Sequence, residues 1–170
     1  KNYAVVEGDY WRVCYFVPES VTYDFVEDSS MLYSAGFAFG RFQGMLSDLP
    51  MDSLYETIPD FHNTRKRLDA FFEMVAKDPQ GRAAGVQEDI AFFEQNRELA
   101  CRLTDLQLKG ELPLRVTHND TKYNNILMHE STGEPLCVID LDTVMPGLAA
   151  HDFGDAIRFA ANTAVEDEPD

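Results

Sequence analysis

A few residues of this chain have types and spacings that can do chemistry together. His118, Asp120 and Asn125 fall at the spacing H-x-D-x-x-x-x-N with Lys122 inside it, and Asp140 and Asp142 follow as D-x-D after an apolar run. The first pattern is that of a phosphoryl-transfer catalytic loop. Such a reaction needs a base to orient the attacking hydroxyl, and metal ions to neutralise a triphosphate. By analogy Asp120 accepts the proton, Asn125 and Asp140 hold Mg²⁺, and Lys122 reaches the transferred phosphate. Asp142 is a weaker candidate ligand. His118 reads as a structural member of the loop, its ring bonded to backbone, because Mg²⁺ prefers oxygen ligands.

These groups must be brought together by the elements around them. Ile126, Leu127 and Met128 form one apolar run, and Leu136, Cys137, Val138 and Ile139 form another. The segment between them, residues 130–135, is rich in turn formers. An antiparallel hairpin turning about Thr132 and Gly133 makes paired residue numbers sum to 265. Asn125 then faces Asp140 across the ladder, about 4.5–5.5 Å away at Cα. A carboxylate ending an apolar strand is also costly unless it meets a partner or a metal.

Upstream, residues 3–6 and 10–17 read as two strands joined by a turn at Glu7, Gly8 and Asp9. A helix is expected from Ser29 or Ser30 to about Ser47, capped by a serine. Leu32, Ala35, Phe39, Phe42, Leu46 and Leu49 form its inward face. Gly36, Gly40 and Gly44 form a second stripe that suggests close approach of another backbone. A second helix is expected over residues 61–76, with Phe61, Leu68, Phe72 and Val75 inward. A third spans residues 86–108, with Val86, Ile90, Phe93, Ala100 and Leu103 on one side, and Lys109 and Gly110 stop it. Arg65, Lys66 and Arg67 read as a solvated helix face, and His62 reads as structural, with substrate contact as the alternative. Residues 112–117 form a short strand that delivers His118. Asp152, Phe153 and Gly154 spell a magnesium-binding triplet, yet they follow Pro146 and Gly147 at the expected start of a helix running to about Ala164. Asp152 and Asp155 therefore read as a helix N-terminus that braces the catalytic loop, with Arg158 paired to Asp155 at i,i+3. The acidic residues 166–170 read as a frayed end.

Taken together, the motifs resemble those of the aminoglycoside phosphotransferase-like branch of the protein-kinase-like fold, and most closely N-acetylhexosamine 1-kinases. The residues that carry the resemblance are Thr117 through Lys122, Asn124 and Asn125, then residues 138–147, then Asp152, Gly154, Asp155, Ile157, Arg158 and Phe159. Phe39, Gly40, Phe42 and Gln43 match further upstream, as do Glu56 through Pro59 with Phe61 and His62. The resemblance implies an α+β, protein-kinase-like fold of the aminoglycoside phosphotransferase and choline kinase type. In it residues 1–17 end an N-terminal β lobe, residues 18–28 form the hinge, and residues 29–170 form a mostly helical catalytic lobe carrying the hairpin. It implies ATP and Mg²⁺ as cofactors, and adenine contacts near Phe16, Val17 and Glu19. It also implies a small-molecule acceptor, namely a sugar phosphorylated at its anomeric hydroxyl. The family's Gly-rich loop and phosphate-pairing lysine are not found before residue 20, so the chain reads as a fragment that would be inactive alone.

Composition narrows the alternatives. A chain of 170 residues with 45% apolar and 12% aromatic content can bury a core. Its net charge of −16 argues against nucleic-acid or anionic-membrane surfaces. No apolar run approaches the ~20 residues of a membrane span, and no signal peptide opens the chain. Cys14, Cys101 and Cys137 lack metal-ligand spacing and read as reduced, mostly buried thiols of a cytoplasmic protein. Residues 138–144 also fit the nucleophile strand of haloacid-dehalogenase-like phosphatases. That fold needs several parallel βα units downstream, for which the chain has no room. Two other readings stand beside the sugar kinase: a kinase of choline, homoserine, fructosamine or an aminoglycoside, and a nucleotide-binding pseudokinase.

Overall fold

The computed structural model describes residues 3–26 and 28–162. The acidic end at 166–170 and the last residues of the expected final helix lie outside them. Strands β1 (Ala4–Val6) and β2 (Asp9–Trp11) form a hairpin. Its two central residues, Glu7 and Gly8, both have positive φ, the backbone that matches a two-residue turn to strand twist. β2 is shorter than expected, ending at Trp11 rather than near residue 17. β3 (Ser20–Val21) instead joins a three-stranded antiparallel sheet, at the edge of β5 (Ile126–His129), with β6 (Pro135–Val138) on the far side. β4 (Arg115–Thr117) pairs with β7 (Met145–Gly147) in a separate antiparallel ribbon.

Helix α1 (Ser29–Met45) lies against the three-stranded sheet. Its N-cap is Asp28, not a serine. The Asp28 carboxylate accepts from the amides of Ser30 and Met31, satisfying donors that have no partner within the helix. Those bonds, with one from the Ser30 hydroxyl as the largest contribution, lower the Asp28 pKa. The core joins Ala38 and Phe39 of α1 to Tyr123, Ile126 and Met128. Ile126 and Met128 are buried while Leu127 and His129 are half-buried, the period-two alternation of a strand with one face on the core. Leu32, expected inward, is exposed. The glycine stripe is corrected too. Gly36, Gly40 and Gly44 face outward, and a Cβ on any of them would meet no atom within 4 Å.

Helix α2 (Thr64–Lys77) starts three residues later than expected, because Asn63 caps it by accepting from the Lys66 amide. The third expected helix is two, α3 (Gln87–Gln95) and α4 (Arg97–Leu108), interrupted at Asn96. The Asn96 side chain donates to the Phe92 carbonyl at 2.8 Å, competition with the backbone that short amides offer. The break re-aims the buried face. Val86 and Phe93 are exposed, while Cys101 and Thr104 of α4 go inward. Helix α5 (Ala149–Ala161) begins before Asp152, which therefore sits inside its first turn. No helix among the described residues is long and apolar enough to cross a membrane. Of the three free cysteines only Cys101 is buried; Cys14 and Cys137 are exposed.

Candidate active site

The hairpin register differs from the expected one by a single residue. Ile126 pairs with Val138 and Leu127 with Cys137, then a bulge brings Met128 opposite Pro135. The turn closes through the His129 amide donating to the Glu134 carbonyl and the Gly133 amide to the His129 carbonyl. At the open end the Ile139 amide donates to the Asn125 carbonyl at 2.9 Å. Asn125 therefore pairs with Ile139, not with Asp140. One position along a strand ordinarily swaps the face of a side chain. Asp140 leaves that rule, since its φ of 56° and ψ of 62° put it in the left-handed region, where the strand ends and a 3₁₀ turn (Leu141–Thr143) begins. It is exposed, so burial does not make its charge costly. Asymmetric backbone of this kind persists where the surroundings enforce it, and clusters at functional sites.

The loop of residues 117–125 is largely buried, and the polar side chains of Thr117, His118, Asn119 and Thr121 are paired, while the buried Tyr123 hydroxyl has no partner among the described residues. His118 is fully buried between the edges of Phe39 and Phe42, with ring centroids 5.4 and 5.6 Å away. Its Nε2 lies 2.9 Å from the Ile139 carbonyl and must donate, since a carbonyl only accepts. Its Nδ1 then accepts from the Asp120 amide at 3.3 Å. The Asn119 backbone is left-handed, with φ 67°. Its amide side chain donates to the Thr143 carbonyl at 3.0 Å and accepts from the Thr117 hydroxyl at 3.0 Å. Thr143 in turn donates its hydroxyl to the His118 carbonyl at 2.7 Å. These bonds join the loop to the segment that carries Asp140.

Asp152 braces the loop from below. One carboxylate oxygen accepts from the His118 amide at 2.9 Å and from Gln43 Nε2 at 2.7 Å, and the other accepts from the Asn119 amide at 2.8 Å. Asp152 is 3% exposed. Burial of that charge is offset by three donors and by its place in the first turn of α5. Asp155 accepts from the Thr121 amide at 2.8 Å and from Arg158 at 2.9 Å. Gly147 of β7 passes so close that an added Cβ would run into Thr117 Oγ1 and Asn119 Oδ1.

Around this scaffold the structure brings Asp120, Asn125 and Lys122 together. Asn125 Nδ2 donates to the Asp120 carbonyl at 2.9 Å and to its carboxylate at 3.1 Å, and Lys122 Nζ lies 3.8 Å from Asp120 Oδ1. Asp120 and Lys122 line a cavity of about 540 Å³ with His62, Arg67, His151 and Arg158. Asn125, Asp140 and Asp142 do not line it. Asp142 is held elsewhere, in an exposed ion pair with Arg12 at 2.9 Å. The hydrogen bond to Asp142, with its charge, raises the Arg12 pKa. Phe16, Val17 and Glu19 also lie apart from this cavity. Phe16 is largely exposed, the Val17 carbonyl accepts from the Ser20 hydroxyl, and the Glu19 carbonyl accepts from the Glu130 amide.

With that geometry in view, the comparison with known families is decisive. The model of the phosphotransferase enzyme family (APH) matches residues 2–169. The chain belongs to that family. It is a phosphotransferase by family, and its substrates are small molecules. Two residues at this cavity, Arg67 and His151, were not legible as site residues in the sequence. Arg67 read as part of a solvated face, while His62 had substrate contact as an alternative to a structural role. His151 carried no signal. His62 Nε2 donates to the Asn119 carbonyl at 2.9 Å, and its ring lies 5.2 Å from that of His151. Burial, and then the charge His62 can carry, lower the His151 pKa.

Proposed function

We propose that the intact protein carrying this chain transfers the terminal phosphoryl group of ATP, with Mg²⁺, to a hydroxyl of a small molecule, and that the acceptor is an N-acetylhexosamine phosphorylated at its anomeric hydroxyl. One observation carries the transfer reading. The Asp120 carboxylate borders a cavity of about 540 Å³, within the roughly 300–1,000 Å³ of small-molecule sites, while the loop beneath it is pinned by buried hydrogen bonds. The choice of acceptor rests on the sequence resemblance.

Each residue then has a task. Asp120 takes the proton of the acceptor hydroxyl, with Asn125 fixing the carboxylate's orientation. Lys122, beside it, neutralises charge on the transferred group. Asn125 spends its N–H donors on Asp120, which leaves its amide oxygen for a hard cation. With the exposed carboxylate of Asp140 this is an all-oxygen donor set. No cluster of three acidic, His or Cys side chains suited to a metal occurs among the described residues. Mg²⁺ commonly takes one or two protein carboxylates and completes its shell with phosphate and water. Bound there, Mg²⁺ supplies positive charge to the triphosphate. Asp142 is the third candidate ligand, available once Arg12 lets go. The backbone near Phe16, Val17 and Glu19 meets the adenine. The free thiols suit a reducing, cytoplasmic setting.

The test is ADP release by the protein across amino sugars, simple sugars and amino alcohols, with Asp120→Asn as control. N-acetylhexosamines should give the fastest release. Asp120→Asn should keep ATP binding while turnover falls about 10²–10⁴-fold, the usual worth of a general base. Unchanged turnover would remove the base assignment. Tight ATP binding without release on any acceptor would favour a pseudokinase.

A further inference from the structure

We infer that the cavity beside Asp120 selects its acceptor by charge: it takes molecules presenting a carbonyl, carboxylate or hydroxyl oxygen and turns away those carrying an ammonium, with Arg67 making the choice. The inference deepens the proposed transfer reading, and rests on it only for the identity of the cavity as the acceptor site.

The charge count of the walls is the first observation. Arg67, Lys122 and Arg158 line the cavity against two carboxylates, Asp120 and Asp155. Among the described residues this cationic lining, with Lys122 beside Asp120, contrasts with the charge of the whole chain, −16. The carboxylates are also occupied. Asp155 accepts from the Thr121 amide and from Arg158, and Asp120 accepts from Asn125. Among the described cavity residues an acceptor's ammonium would find only Asp120 to pair with, and pairing there would block the group that must take the hydroxyl proton.

Arg67 is the second observation. Its neighbours on α2 are both paired: Arg65 makes a two-oxygen contact with Asp105 at 2.7 Å, and Lys66 meets Asp60 at 2.5 Å. Arg67 has no carboxylate partner among the described residues. Its guanidinium instead lies over the Phe61 ring, 5.6 Å from the centroid, and Phe61 lines the same cavity. A planar guanidinium stacked on an aromatic ring keeps its N–H edge for a ligand. That edge suits an amide carbonyl, a carboxylate or sugar hydroxyls, and repels an ammonium.

Three acceptors of similar size separate the cases: N-acetylglucosamine (neutral amide), glucuronate (anion), and glucosamine at a pH where its amine is protonated. Binding is measured by calorimetry with Mg²⁺ and a non-hydrolysable ATP analogue, and transfer by ADP release. Glucosamine should bind at least roughly tenfold more weakly than N-acetylglucosamine, the scale of one like-charge contact in a partly screened site. Arg67→Lys should keep that order. Arg67→Glu should lift glucosamine and weaken glucuronate. Arg67 is exposed on its helix, and circular dichroism checks that the variants fold. Glucosamine binding as well as N-acetylglucosamine overturns the inference, as does an order indifferent to Arg67→Glu or no binding by any of the three. The expected binding order without ADP release would sink the transfer reading and leave charge selection standing.

Discussion

The loop of residues 117–125 and the segment of residues 140–142 lie side by side, yet they are held in different ways. Each contains one non-glycine residue in left-handed backbone, Asn119 and Asp140. Around Asn119 the side chain and both flanking amides are bonded, to the buried Asp152, Thr117 and His118 and to the half-buried Thr143. Around Asp140 the carboxylate is exposed and accepts no hydrogen bond from a described residue; the Asp142 carboxylate meets the exposed guanidinium of Arg12, and its backbone carbonyl accepts from the Thr57 hydroxyl at 3.0 Å. On the proposed roles, the difference is between a group whose geometry must exist before substrate arrives and groups whose geometry a ligand can complete. A general base must be aimed in advance. Carboxylates that hold Mg²⁺ share its shell with phosphate oxygens and water, so their final positions are set on binding.

The comparison breaks most sharply at Asp152. Asp152→Ala leaves the amides of His118 and Asn119 buried without acceptors. At roughly 1–3 kcal/mol for each buried unsatisfied group, the loss should reach about 3–5 kcal/mol. Asp152→Asn should be nearly as damaging, because its NH₂ would face an amide N–H. Urea unfolding of both variants checks this, and a cost under about 1 kcal/mol would mean that the loop is not pinned from below. Gly147→Ala comes next. The new methyl meets Thr117 and Asn119 within their own hydrogen-bond network, and overpacking of that kind costs about 1–3 kcal/mol. The urea midpoint should fall, and turnover should fall with it because Asn119 precedes the proposed base, Asp120.

How far these features were legible in the sequence follows the same division. The loop pattern, the hairpin, and the bracing by Asp152 and Asp155 could be read because each is local or fixed by motif spacing. What could not be read depended on packing or on one residue of geometry. The turn closes one residue earlier in the chain than expected, through His129 and Glu134, and the bulge between Leu127 and Met128 offsets only part of that shift at the open end; no residue type announces a bulge. The break at Asn96 turns α4 so that Cys101 and Thr104 face inward. An amide in mid-helix is a weak signal until its bond to Phe92 is seen. The glycine stripe misled because small residues permit close approach without requiring it. Arg67 was invisible as a cavity residue because its position depends on Phe61, six residues before it and outside the helix.

A smaller effect concerns His151, on the cavity side of the loop. Its pKa is lowered by burial first, then by the neighbouring His62, with Asp152 opposing. A histidine whose folded pKa lies below its unfolded value, 6.5, resists protonation in the native state. It contributes stability above that value, and this is lost as pH falls through the folded pKa. Unfolding midpoints measured from about pH 8 to about pH 5 should decline in that window, and His151→Gln should flatten part of the decline. A decline identical in the variant would assign it to other groups.

The smallest expected change in stability is at Arg12. Its ion pair with Asp142 is solvent-exposed on both sides, and exposed pairs contribute little because water and salt screen them. Arg12→Ala should leave the urea midpoint unchanged. The same substitution removes a positive charge that acts on Asp142 and, less strongly, on Asp140. Mg²⁺ should therefore bind the protein–ATP complex more tightly in the variant than in the parent, with the difference shrinking as salt is raised. Metal affinity and stability would then move independently at residues 140–142, whereas at Asp152 they should fall together. An Arg12→Ala protein that loses stability, or whose Mg²⁺ affinity does not respond, would mean that this segment is as firmly built as the loop beside it.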